Sequence, residues 1–501
     1  MTLIESRLFD PSDGEETPFG DPITTDFLAE VESVSGIWTA TPQLQYIAAE
    51  AARKGVNPWG LLALVQEHRA THVPPNVVLV GKDGTPGNTL VGGMSLNGFV
   101  ALVAEPGGGK SVTFQLATET LPPASIPVPT GTGQGMVRNL AKSETRTKDE
   151  EKKPLPKPVR LTVFRRHDMM VHAPEVKALN AEFLRDGAQT DSIMRSMWVG
   201  ETVGMTNADT DRRVVIPPNM VRVCGAWGVQ PVNAGAILAQ AADGTPQRFL
   251  WVPAEEYRHP SRPPAPQGIT FPMPTFVTQG PFGSNDMPWE IEDGEYAQLP
   301  QPIWVTWSPK MHAEIPQYHA RLQALRKKQP YERISEEHRA RREAAAMKRH
   351  LLLLVIKQAV KMGWTHGRAT PDDLDWALAK AQCAISAAEL AGVWQETEDA
   401  RARLSRKRGE ELGITRDAAD QTVKVIVGGR LSALAEKLHG YLCHKPHTAG
   451  ELRERISNPE TKQLVDAALN HLKKEGRAEI EDCGRGKILW HALIAGERVA
   501  A

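Results

Sequence analysis

Residues 104–111 read Ala-Glu-Pro-Gly-Gly-Gly-Lys-Ser, and their types and spacing suit the capture of phosphate groups. Gly107, Gly108 and Gly109 let the backbone turn so that successive N–H groups point inward at anionic oxygens. Lys110 adds a point charge toward the terminal phosphates, and the Ser111 hydroxyl stands where a Mg²⁺ ligand is needed. Glu105, Pro106 and Val112 complete the set that would surround the phosphates, and Ala104 occupies the first position, where glycine is more usual. An ordinary glycine-rich turn can precede Lys-Ser by chance, so the flanks decide. Residues 98–103 are a short apolar run, the composition of a buried parallel strand, and 112–120 read as a helix whose amino end faces the anion. The ligand this context predicts is a nucleotide.

Hydrolysis of a bound nucleotide calls for an acid at the end of a neighbouring strand. Residues 169–172 make a short apolar strand candidate, and Glu175 follows it. Glu175 is the expected base for the attacking water and, with Ser111, the expected metal partner. The more usual Asp-Glu pair is absent, and a carboxylate here also suits the start of the next helix. Asp168 is the weaker candidate because it precedes the apolar run. Residues 220–229 are a second buried-strand candidate that ends in Gln230, placed either to sense a γ-phosphate or simply to finish the strand. Arg248 precedes the apolar 249–253. It either completes a neighbouring subunit's site as an arginine finger or serves as a structural or same-subunit phosphate contact.

The elements that must position these residues show in the periodicity. Leu44, Ile47, Ala48 and Ala51 repeat at helical spacing, and Asn57-Pro58 opens a second helix, so 41–69 predicts a helical pair beside the sheet. Residues 73–80, 159–164 and 303–307 are strand candidates, with a turn cluster at 82–87. Two insertions are expected in the core, a charged and mobile one at 142–158 and a Pro/Gly-rich excursion near 259–300. Residues 318–361 read as helical, with ten Arg or Lys against four Glu between 319 and 350. Thr370 caps a further helix. Five basic residues between 401 and 408 mark a linker.

The chain has 501 residues, 41% hydrophobic and 24% charged, an ordinary globular composition with room for about three domains. No run of about 18 apolar residues exists to span a membrane, and the amino terminus lacks an apolar signal core. Four scattered cysteines without metal-ligand spacing suit a reducing compartment, so the expected location is the cytoplasm. The net charge of −1 confines nucleic-acid contact to local patches. Residues 1–30 hold eight acids against Arg7 and predict an acidic disordered tail.

The carboxyl-terminal stretch reads as a separate module. Residues 430–443, a helix opening at Thr448 with a capping-box pattern, and 460–475 are three helices, followed by strands at 477–480 and 487–491. Three helices and a two-stranded wing resemble a winged helix, which places its third helix in a DNA groove. Lys462, Gln463 and Asn470 are candidate DNA-facing residues, with Arg485 and Lys487 on the wing. The module from residue 415 carries only about +2, so a protein-binding winged helix is the alternative.

The blocks VPPNVVLV, SLNGFVALVAEPGGGKS, GTGQG, RSMWVGETVG, GVQP and GTPQRFLWVP, spread over 41–396, resemble the helicase-like phosphate-loop ATPases of actinobacterial plasmids, prophages and phages. The strand end His-Ala-Pro-Glu at 172–175 is less acidic than that family's pattern. The resemblance implies an α/β fold with a RecA- or AAA-type core over 31–310 and a helical lid over 311–400. A basic linker at 401–414 and a winged helix over 415–501 would follow. It also implies ATP with Mg²⁺, DNA as partner, and a homo-oligomeric ring, with a hexamer the first expectation. Primase or polymerase would be replication partners, and no membrane is involved. The function expected is that of an ATP-hydrolysing DNA replication motor or initiator. The alternative is an ATP-dependent switch or loader that unwinds nothing.

Overall fold

The computed structural model describes residues 3–9, 20–80, 93–148, 153–185, 189–205, 213–240, 243–256, 258, 260, 262, 264–276, 289–294, 299–324, 336–456, 459–462, 464–483 and 488–493. The chain opens with α1 (Leu3–Phe9), α2 (Thr25–Ser35), α3 (Ile37–Ala40), α4 (Pro42–Lys54), α5 (Pro58–Thr71), β1 (Val77–Leu79) and β2 (Gly98–Val103). Then come α6 (Lys110–Thr120), α7 (Gly133–Leu140), β3 (Ala141–Lys148), β4 (Pro154–Phe164), β5 (Asp168–Ala173), α8 (Lys177–Leu184) and α9 (Thr190–Val199). They are followed by β6 (Val203–Met205), β7 (Val214–Ile216), β8 (Arg222–Val229), α10 (Gly235–Leu238), β9 (Phe249–Pro253), β10 (Glu290–Glu292) and β11 (Ile303–Val305). The remainder is α11 (Pro309–Ala324), α12 (Glu336–Thr365), α13 (Asp373–Leu442), α14 (Ala449–Glu454), α15 (Pro459–Lys462), α16 (Val465–Lys474), β12 (Ala478–Asp482) and β13 (Ile488–Ala492). Residues 1–400 and 401–501 form two compact units.

Four strands build the central sheet of the first unit in the order β5-β8-β2-β9, every pair parallel. All six residues of β2 and all eight of β8 are buried, which is why these segments read as unbroken apolar runs. Phe99, Trp227 and Phe249 pack across three adjacent strands with centroids 5.4–5.6 Å apart. Gly225 makes room for the Trp227 ring, whose nearest atom lies 2.3 Å from where a Cβ would stand. The helical pair forms as expected. Thr41 Oγ1 accepts the Leu44 N–H at 3.3 Å, Gly55 ends α4 at φ 69°, and Asn57 Oδ1 accepts the Trp59 N–H at 3.0 Å ahead of Pro58. All fourteen residues of α5 are buried, and its ends and middle pack on β2, β5, β8 and β9.

Burial of α5 brings charge inside. Glu67 and Lys361, from α5 and α12, pair at 2.6 Å with both side chains fully excluded from water. They meet over Gly98, where a Cβ would stand 2.1 Å from Lys361 Nζ and 2.5 Å from Glu67 Oε1. Lys357 donates to Asn97 O at 3.0 Å and lies 3.4 Å from the centroid of the Trp198 ring, its amine held well below the usual lysine range by burial and by Lys361. Arg222 is fully buried and donates to Ser95 Oγ at 3.0 Å and to the carbonyls of Pro74 and Val77 at 2.8 and 2.9 Å.

Several expectations change. The amino-terminal stretch is not disordered at 3–9. Phe9 is buried and stacks on Tyr318 at 3.9 Å, and Glu5 accepts from Lys380 at 3.0 Å. Residues 142–158 are largely strand, because β3, β4 and β10 form an antiparallel sheet. Backbone pairing sustains that hairpin where exposed, charged side chains leave no apolar period to read. The described part of the second insertion, 264–276, is irregular as expected, while β10 joins the hairpin. Among the described residues, 311–400 does not stand apart as a lid. α11, the buried half of α12 and the start of α13 share one core with β2 and β9, and Trp251 N donates to Ser386 Oγ at 2.8 Å. The 401–414 linker is part of α13. Among the described residues, no helix is long and apolar enough to cross a membrane.

The buried pair yields a stability test. Lys361→Met leaves Glu67 charged and alone, with an expected loss of about 3–5 kcal/mol. Glu67→Gln combined with Lys361→Met should recover most of it. Equal losses in the single and double variants, measured by denaturant unfolding, would contradict the pair's role.

Candidate nucleotide site

At the carboxyl end of β2, Val103 is flanked by Val229 and Pro253, and Ala104 N donates to Val229 O at 3.1 Å. The chain then turns through 104–109 into α6, so strand, glycine loop and helix follow in the order expected. Gly107 and Gly109 adopt φ of 85° and 82°, the left-handed region that glycine enters without strain. Ala104 is not among the positive-φ positions, so the usual glycine is not required there. Gly108 is confined differently, because a Cβ would stand 2.5 Å from Glu255 Oε2 and 2.7 Å from Ala104 Cβ. Lys110 Nζ donates to Ala104 O and, at 2.9 Å, to Glu105 O. Its stem crosses Gly228, where a Cβ would meet Lys110 Cδ at 3.2 Å and Pro174 O at 2.0 Å. Ser111 and Val112 are exposed or partly exposed on the first turn of α6.

Three carboxylates lie within electrostatic reach of Lys110: Glu105, Glu175 and Glu255. Partial burial holds the Lys110 amine below the usual lysine range, and the three acids pull it back up. Glu175 sits just beyond β5, exposed, and no hydrogen bond orients it among the described residues. Asp168 lies at the opposite end of β5, paired in register with Arg222, and so away from the loop. Gln230 ends β8 on the loop's side of the sheet, with Oε1 accepting from Asn233 Nδ2 at 2.7 Å. His172, on β5, stacks on Phe114 of α6 at 3.6 Å and is pushed below the usual histidine range by burial.

Arg248 is a correction. It precedes β9, and Phe249 pairs with Phe99, so Arg248 lies at the amino edge of the sheet and not beside this chain's own loop. Its guanidinium donates to Gly244 O at 2.6 Å and Asp243 O at 3.2 Å and stacks 5.6 Å from the Trp198 ring centroid. Burial and Arg195 lower its pKa to about 10. These contacts place it away from its own chain's loop and support the structural alternative within its own chain.

Two residues near the loop were not foreseen. Glu255 follows β9, with Asn57 Nδ2 donating to its carbonyl at 3.2 Å. An acid directly after the apolar 249–253 was the available signal. Glu396 comes from α13 and is within electrostatic reach of Glu105, while Thr397 Oγ1 donates to Pro231 O at 3.0 Å. Nothing local in the sequence places α13 here. Of the resembling blocks, 131–135 opens α7 beside β5, where Val128 bridges Val171 and Thr130 Oγ1 accepts from Trp227 Nε1 at 2.8 Å. Residues 195–204 end α9 and enter β6.

The second unit has its own core, from Leu434, Leu438, Leu452, Val465, Leu469, Leu472 and Trp490. Thr448 and Glu451 form the capping box of α14. The expected third helix is divided, with Lys462 exposed at the end of α15 and Asn470 exposed on α16. β12 and β13 pair antiparallel, and His447 adds a bridge to Trp490 that the sequence did not reveal. Gln463, Arg485 and Lys487 lie outside the described residues. The exposed acids Glu479, Glu481 and Asp482 make the described part of β12 negative.

No protein-family model matches the chain, and no curated protein matches it.

A pH test follows from the buried carboxyl of Glu389 on α13. Burial, and then Glu396, pushes Glu389 up to about 8. A carboxyl whose folded pKa is raised stabilises the fold below its unfolded value near 4.5. It loses that contribution as pH rises through about 8. Glu389→Gln should therefore melt near the parent at pH 5 and above it at pH 8.5. A melting difference independent of pH would refute the assignment.

Proposed function

We propose that the chain binds ATP with Mg²⁺ at 104–112 and couples its hydrolysis to work on DNA, as a replication motor or initiator of phage or mobile-element type. The observation that carries the proposal is the strand–loop–helix at the carboxyl edge of the parallel sheet. Two left-handed glycines turn that loop, and Lys110 lies against its carbonyls. Ligands bind at this edge of open parallel sheets, and a helix amino end favours anions. Held by Ser111 and Glu175, Mg²⁺ would neutralise charge developing on the phosphates. Among the described residues, no group of three or more His, Cys, Asp or Glu is arranged to hold a metal alone. Ser111 with Glu175 suits Mg²⁺, which keeps its waters and takes few protein ligands. Three carboxylates around Lys110 would repel a bare polyphosphate, so affinity should depend on the metal.

Lys110→Ala is the direct test. Turnover should fall roughly 100-fold or more, because the reaction depends on positioning and charge. Full ATPase activity in that variant would end the proposal.

A second reading has its own support. Glu175 is exposed and unoriented, a weak arrangement for activating water. An ATP-dependent switch or loader needs binding and assembly more than turnover. Glu175→Gln separates the two. A fall of about 10²-fold or more in turnover with unchanged ATP affinity fits the motor. Slow parental hydrolysis that the substitution leaves unchanged, with ATP-dependent assembly and no strand displacement on forked DNA, fits the switch. Ring assembly and a DNA-reading winged helix in the second unit belong to the same proposal. Its support is the order of three helices and a hairpin, with Lys462, Asn470, Lys473 and Lys474 exposed. The acidic β12 favours contact through the helices over contact through the hairpin.

A further inference from the structure

The amino edge of the sheet carries a feature that nucleotide chemistry does not use. Phe164, His167 and Trp289 form a continuous aromatic cluster: Phe164 stacks on His167 with centroids 4.7 Å apart, and Trp289 packs on His167 at 4.9 Å, tilted by 53°. Phe164 is buried, His167 is partly covered with Nδ1 3.0 Å from Met220 O, and Trp289 ends the cluster 61% exposed. Trp289 is held in place because its carbonyl accepts the Phe164 N–H at 2.7 Å. Large aromatic surface left open at the end of a fixed cluster is costly in water unless something covers it.

The surroundings are basic. Described residues within 138–168 and 289–293 hold nine Arg or Lys against five Asp or Glu. Two of those acids are already neutralised, Glu144 by Lys142 at 2.8 Å and Glu290 by Arg146 at 2.9 Å. Arg160, Arg165 and Arg166 are in no ion pair among the described residues, and Arg160 Nε and Arg166 Nη1 have no acceptor. Asp168, two residues from Arg166, and Glu292 and Asp293, at the end of β10, are the acids that oppose this charge.

We infer that this face binds single-stranded nucleic acid, with a base stacked on Trp289 and the phosphates beside Arg165 and Arg166. A flat aromatic end accepts any base, whereas unpaired guanidiniums match the backbone's charge. A duplex hides its base faces and could not use Trp289. The inference shares with the proposed function only the nucleic-acid partner.

The test is binding of a fluorescent oligothymidine to the full chain without nucleotide, by anisotropy across a salt series. Trp289→Leu should weaken binding roughly 5- to 150-fold, and Trp289→Phe should keep most of it. Arg165→Ala with Arg166→Ala should make the salt slope shallower by about 1.4, two phosphates at ~0.7 each. Trp289→Leu and Trp289→Phe binding alike, or an unchanged slope in the double variant, would overturn the inference. So would tighter binding to duplex than to single strand that survives Trp289→Leu. Lys110→Ala should bind the oligonucleotide as the parent does. Absent ATPase activity would therefore undo the nucleotide proposal and leave this one standing.

Discussion

The first unit is organised around a charge that the fold cannot leave alone. Glu67 sits in a helix buried along its whole length, directly beneath the strand that feeds the glycine loop. Taking a carboxylate out of water costs several kcal/mol, and only a well-placed cation offsets it. Lys361 supplies that cation from 294 residues away, so α12 must lie against α5 for either helix to be tolerated inside. Gly98 is part of the same constraint, because any side chain there would occupy the space of the pair. The strand before the loop, the helix beneath it and the helix that closes the core are thus fixed by one contact.

That arrangement separates two ends of the sheet. At the amino end are Glu67, Lys361, Arg222 and the aromatic cluster that ends in Trp289. At the carboxyl end are Gly107, Gly109, Lys110 and three carboxylates. Parallel strands place every strand end of one kind on one edge, so residues that follow strands converge. Glu175, Gln230 and Glu255 follow β5, β8 and β9 at the edge that carries the loop, while Arg248 precedes β9 at the opposite edge. The same rule that supports the first three as site residues removes Arg248 from this chain's own site.

The loop's setting is acidic, and this shapes its chemistry. Lys110 is drawn back onto the loop carbonyls, within reach of Glu105, Glu175 and Glu255, and Glu396 adds a further negative charge near Glu105. Under the proposed function, a polyphosphate entering such a setting would gain from bringing its own cation, which would tie nucleotide affinity to Mg²⁺ more strongly than a basic loop would.

The parts legible from sequence were those written in adjacent residues. The apolar run 98–103 followed by Gly107, Gly108, Gly109 and Lys110 specifies a strand, a left-handed turn and a helix within fourteen positions. Thr41, Asn57 and Thr448 each mark a helix start by a bond to a backbone N–H two or three residues on. Those are local interactions, and local composition determines them. Residues 159–164 read as a strand, but β3 and the first half of β4 were missed because their pairing is carried by backbone groups that every residue possesses. The burial of Phe9 against Tyr318, the end of the sheet to which Arg248 belongs, and the approach of Glu396 to the loop were decided by tertiary structure alone. Each depends on which distant segment comes to lie alongside, and a side chain's charge or ring does not name the partner it will meet hundreds of residues away.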